Sequence, residues 1–186
     1  FWPVLAGSAV WFALRPHGDV SHHESGEIFG LGLMLAMVPV VIAHLGSFQW
    51  PVAAERWWRA AAAWWIILVA SGWIIFLPGV SEAVKFTHVL VAHSHLAMAG
   101  LVSSVGGALL AALGCAPGRA SAGFWWWQLG CLAHVLVLLA IGMLESGNPS
   151  WLWSGGAVVT FLFAARLATG LILLGVSVHW LGKECR

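Results

Sequence analysis

The chain has 186 residues, is 61% hydrophobic and only 8% charged, and has a mean hydropathy of +0.91. No soluble domain of this size needs so much apolar surface, so the composition points to an integral membrane protein in a lipid bilayer. A formal net charge of +1 gives no basic face for nucleic acid, and Cys115, Cys131 and Cys185 form neither a CxxC pair nor a CxxCH haem-attachment motif.

A membrane-crossing helix needs roughly 20 mostly apolar residues. Backbone polar groups must be satisfied inside the bilayer, so such spans are helices and not open sheet. Residues 1–15 are apolar but short, an incomplete sixth span. They lack a basic leader and a small-residue cleavage site and are not read as a signal peptide. "RPHGDVSHHESGE" follows as a polar loop with His17, His22 and His23. Five spans are then expected, over residues 27–50, 57–77, 85–113, 124–145 and 151–181. The breaks between them, "PVAAER", "LPGVSE", "APGRASAG" and "SGNPS", are charged or turn-forming. The expected fold is all-α: a polytopic transmembrane helix bundle of five to six spanning helices, one membrane domain over residues 1–186.

Lys and Arg in short loops set orientation. Arg56, Arg59, Arg119, Lys183 and Arg186 fall on one side, Arg15 and Lys85 on the other. The first side is expected to be cytoplasmic, with the C-terminus inside. Glu82, Lys85 and Glu145 then read as solvated helix ends, with a proton route or a haem propionate as their functional alternative. Arg166 lies well inside the last span and needs a carboxylate, propionate or carbonyl partner.

Ionisable side chains at membrane depth are costly and mark function by default. His44, His93, His95 and His134 fall inside predicted helices. In "KFTHVLVAHSHLAMAG" three histidines crowd one helix end. At about 100° per residue, His93 and His95 point about 200° apart, on opposite sides of one helix. Two such rings cannot easily share one metal ion, but they can hold two separate cofactors, and imidazole is a good axial ligand for haem iron. Ala92, Ser94, Ala97, Ala99 and Gly100 leave room for large flat rings. His88 shares the face of His95 about 10 Å along the axis and is expected to be dispensable for cofactor binding. His44 and His134 read as bonded core histidines, or as additional haem ligands.

"FTHVLVAHSHLAMAG" resembles the tenth helix of subunit I of the haem-copper oxidase superfamily, nearest to cbb-type oxidases and nitric oxide reductases. "FGLGLMLAMVPVVIAHLGSF" resembles the eighth helix, "FWWWQLGCLAHVLVLLAIGMLESG" the eleventh and "AARLATGLILLGVSVHWL" the twelfth, so the resemblance covers residues 27–182. It implies that His93 is the axial ligand of a high-spin haem and His95 that of a low-spin haem. One or two b-type haems are expected, with copper or non-haem iron beside the high-spin haem. His22 and His23 are the candidate metal ligands, although the family's pair lies inside a helix and this pair reads as loop. A complete subunit I has about twice as many helices, so other membrane subunits are expected to bring the missing helices and ligands, with an electron-donor cytochrome or quinol. The implied location is a bacterial inner membrane. The implied function is electron transfer from the low-spin haem to a high-spin haem and metal site that reduces oxygen or nitric oxide. The alternative is a non-catalytic b-haem or structural subunit without the non-haem metal. A cofactor-free scaffold is a weaker third reading. The chain has no Tyr. Oxygen-reducing members use a tyrosine beside the metal, so this favours nitric oxide if residues 1–25 include the family's seventh helix.

Overall fold

The computed structural model describes residues 2–14, 25–114 and 121–184, and these are all-α. The helices are α1 (Trp2–Leu14), α2 (Ser25–Gly46), α3 (Val52–Ile75), α4 (Val80–Val84), α5 (His88–His95), α6 (Ser103–Ala112), α7 (Ser121–Gly147) and α8 (Ala157–Glu184). A π-helical segment, Leu96–Val102, joins α5 to α6 without a break. The continuous helix His88–Ala112 is therefore one candidate span, beside Ile28–Gly46, Val52–Ile75, Ala122–Gly147 and Ala157–Trp180. These five are long and apolar enough to cross a membrane, and the transmembrane character expected from composition holds.

The helix limits follow local chemistry. α3 starts at Val52 and not at residue 57, because Pro51 takes the N-cap position, where its missing N–H costs nothing. The last span starts at Ala157 and not at residue 151. Gly155 is left-handed, with φ +61°, and separates a short 3₁₀ turn, Trp151–Ser154, from α8. α5 starts at His88, behind a turn in which Phe86 adopts φ +65° and is 92% exposed. The Thr87 hydroxyl caps α5 by accepting the Val89 N–H.

The helices pack in chain order as an open row: α1 on α2, α2 on α3, α3 on the π segment and α6, α5 on α7, and α7 on α8. The core lies along α7. Its buried positions Phe124, Gln128, Cys131, Val135, Leu138, Gly142 and Glu145 alternate by three and four residues and form one continuous stripe. α3 contributes Trp57 and Trp64, which lie against Gly107 and Gly100. A Cβ on either glycine would come within 2.5 Å of the indole. Trp50, Trp57, Trp58, Trp127 and Trp180 gather at one end of the row, called here the tryptophan end. The N-terminus of α5 lies at the other, the histidine end.

Candidate functional site

His93 and His95 diverge as the helical geometry requires. His93 turns toward α3, over Gly72 and edge-on to Phe76 at 6.2 Å between ring centroids. His95 turns toward α7, where its ring centroid lies 5.1 Å from that of His134. Ser94 and Met98 lie between the two faces and are exposed.

The hydrogen bonds fix which ring nitrogen carries the proton. His95 Nδ1 lies 2.8 Å from the Val91 carbonyl, which can only accept, so Nδ1 is the protonated nitrogen. The Ser71 hydroxyl donates to the Leu68 carbonyl at 3.1 Å, which leaves its oxygen to accept from His93 Nδ1, also at 3.1 Å. Thr169 donates to the Ala165 and Arg166 carbonyls and accepts from His134 Nδ1 at 2.8 Å. In all three rings Nε2 keeps its lone pair. Among the described residues none of these Nε2 atoms has a hydrogen-bond partner, and none is sealed inside protein. An imidazole tied through Nδ1 and open at Nε2 is the form that ligates a metal.

His88 is different, because both its nitrogens are used. Its backbone N–H and its Nδ1–H donate to the two oxygens of Glu145, each at 2.6 Å, and Arg166 Nη1 donates to its Nε2 at 3.3 Å. Glu145 is therefore not a solvated helix end. It is 7% exposed, because its position continues the buried stripe of α7. The partner of Arg166 is the His88 ring, with Glu145 beyond it. Glu82 and Lys85 are exposed, as expected: Glu82 accepts the Gly79 N–H and the Lys85 ammonium lies 5.3 Å from the Phe86 ring.

A second polar cluster, which no motif in the sequence announces, crosses the middle of the bundle. Trp64 Nε1 donates to Gln128 Oε1 at 2.6 Å, and Gln128 Nε2 donates to Ser104 Oγ at 3.1 Å. The π register frees the Ala99 carbonyl, because the Ser103 N–H bonds Met98 and Gly100 instead. The Ser103 hydroxyl and Cys131 Sγ donate to that carbonyl, and Trp127 Nε1 donates to the Ser103 oxygen. The signal available in sequence was register: Gln128, Cys131 and Glu145 share the apolar stripe of α7.

His44 belongs to neither group. It sits at the tryptophan end, edge-on to Trp2 and Phe48. His22 and His23, the candidate metal ligands, lie outside the described residues. Among the described residues no three His, Cys, Asp or Glu side chains converge to hold a metal ion. The chain matches no protein-family model, no curated protein and no solved structure.

A haem macrocycle can be tested against this geometry. The rings of His93 and His95 have the required tautomer. The seam between α5 and α7 cannot admit a macrocycle, since Val89 touches Gly142 on one side of His95 and Cys131 bonds the Ala99 carbonyl on the other. Room for a macrocycle therefore exists along the one open flank of α5, beside the exposed Ser94 and Met98, and not inside the seam.

Proposed function

We propose that this chain is a haem-binding membrane subunit of a haem-copper-type oxidoreductase. His95 would serve a low-spin b-type haem and His93 a high-spin haem. Haem bound at these positions supplies one-electron transfer across the helix. A non-haem copper or iron beside the His93 haem, held in part by His22 and His23, would complete a site that reduces oxygen or nitric oxide. Other membrane subunits bring the remaining helices and ligands, and a cytochrome or quinol supplies electrons. The membrane is a bacterial inner membrane, with the C-terminus in the cytoplasm.

One observation carries this reading. Two imidazoles two residues apart are tied through Nδ1 to different acceptors, Ser71 and Val91, and among the described residues neither Nε2 has a hydrogen-bond partner. A packed histidine with a polar nitrogen left unpaired in lipid has no such compensation. The test is a pyridine haemochrome assay with metal analysis on the complex purified from membranes. Two haems and one copper or non-haem iron per complex are expected. Haem without that metal would return the alternative, a non-catalytic b-haem relay. No haem would remove the reading.

A further inference from the structure

The N-terminus of α5 is held by the C-terminal turns of α7 at two points on one face. Gly142 makes the first. A Cβ there would lie 2.1 Å from the Val89 nitrogen and 2.6 Å from the His88 carbonyl carbon, so the two backbones touch and glycine is the only side chain that fits. Glu145, one turn further on, makes the second. Its two oxygens take the N–H and the ring Nδ1–H of a single residue, His88, at 2.6 Å each. Arg166 of α8 closes on the far nitrogen of the same ring.

A carboxylate needed only to neutralise Arg166 could do so directly. Glu145 instead grips one residue twice. The backbone bond fixes how deep α5 sits against α7, and the ring bond fixes its rotation about its own axis. His93 and His95 come five and seven residues later, in the same α-helical segment and before the π segment begins. A shift or rotation at His88 is therefore carried to both rings.

We propose that Glu145 is a positioning residue for the ligand-bearing helix: acting through His88, it sets the depth and rotation of α5 and thereby the Nε2 positions of His93 and His95. This rests on the reading of those two residues as haem ligands. Its test uses the complete complex, purified from membranes, with Glu145→Ala and Glu145→Gln, and reads two quantities. One is hydrogen exchange of the His88 amide. The other is the visible spectrum of the haems at matched haem content. Glu145→Ala is expected to speed exchange at His88 by about tenfold or more, as loss of a bond to a charged acceptor implies, and to shift or broaden the haem bands. Glu145→Gln keeps one acceptor oxygen and is expected to fall between Ala and the native protein in both. If Glu145→Ala does not accumulate, Glu145→Gln carries the same two readouts. Faster exchange with unaltered haem bands would overturn the proposal, because the clamp would then be structural only. If the native complex holds no haem, the haem reading fails by itself, and unchanged His88 exchange in Glu145→Ala then overturns the clamp.

Discussion

His93 and His95 are separated by one serine, yet their rings answer to different helices. That division gives a prediction at single residues. His95→Ala should abolish a low-spin signal, because a six-coordinate iron loses a strong-field ligand. His93→Ala should disturb the high-spin haem and its carbon monoxide binding while the low-spin bands persist. Identical spectra for the two variants would count against two separate cofactors. His88 is not a neutral control for this pair, despite sharing the face of His95, because Glu145 and Arg166 both depend on it. Gln128 offers a test of stability apart from haem. Gln128→Leu leaves the Trp64 indole N–H and the Ser104 hydroxyl without their partner in the buried core. A loss of about 1–3 kcal/mol is expected for each donor or acceptor left buried and unpaired. A lowered melting temperature of the purified complex, with haem content retained, would show it.

At the scale of elements, the π segment sets the phase between α5, which packs on α7, and α6, which packs on α3. The one extra residue taken up within Leu96–Val102 sets the helix beyond it back by about 100° from an unbroken α-helix, and α6 is placed with Gly107 under Trp57. Inserting one alanine after Ala97, beyond the single extra residue the π segment absorbs, should turn α6 by about 100° relative to α5. Helical content by circular dichroism should hold, while the melting temperature falls because Gly107 leaves Trp57. An unchanged melting temperature would remove the phasing role. Nothing in "LAMAGLV" announces a π register, because it arises from the conflict between α5 packed on α7 and α6 packed on α3. The spans themselves were legible, since length and apolarity alone define them. So was the divergence of His93 and His95, which is a property of any α-helix. Burial of Glu145 was readable only through its phase with Cys131 and Leu138; its nearness to "SGNPS" suggests solvent instead. The start of α3 was obscured by Arg56 and Glu55, which resemble a loop, although Ala53, Ala54 and Glu55 suit a first helical turn after proline.

Over the whole molecule the row of helices stays open. Among the described residues, the apolar windows of α2 and α8 contain no buried one, and α8 meets α3 at the tryptophan end, where Trp180 lies 5.7 Å from Trp57. Haems served by His93 and His95 would need cover that this row does not give, so on the proposed reading the protein should purify as a tight complex with another membrane subunit. A monomer with full haem content would contradict that. The orientation has its own measurement. Arg56 and Arg59 stand at the tryptophan end and Lys85 at the histidine end, so a tag after residue 186 should react only with reagents on the cytoplasmic side.

The bond between the His88 amide and Glu145 joins positions 57 residues apart in the chain. During synthesis α5 emerges long before α7. Until Glu145 arrives, the first turn of α5 carries an unpaired N–H and the Nδ1–H of an imidazole, and the Cys131 thiol has yet to reach the Ala99 carbonyl. Lipid cannot replace these partners. The helix that carries His88 should therefore wait at the insertion machinery and enter the bilayer together with α7 as a hairpin. Nascent chains arrested after residue 120 should remain extractable or cross-linked to the translocon, and those arrested beyond residue 150, with linker enough to clear the exit tunnel, should be stably inserted.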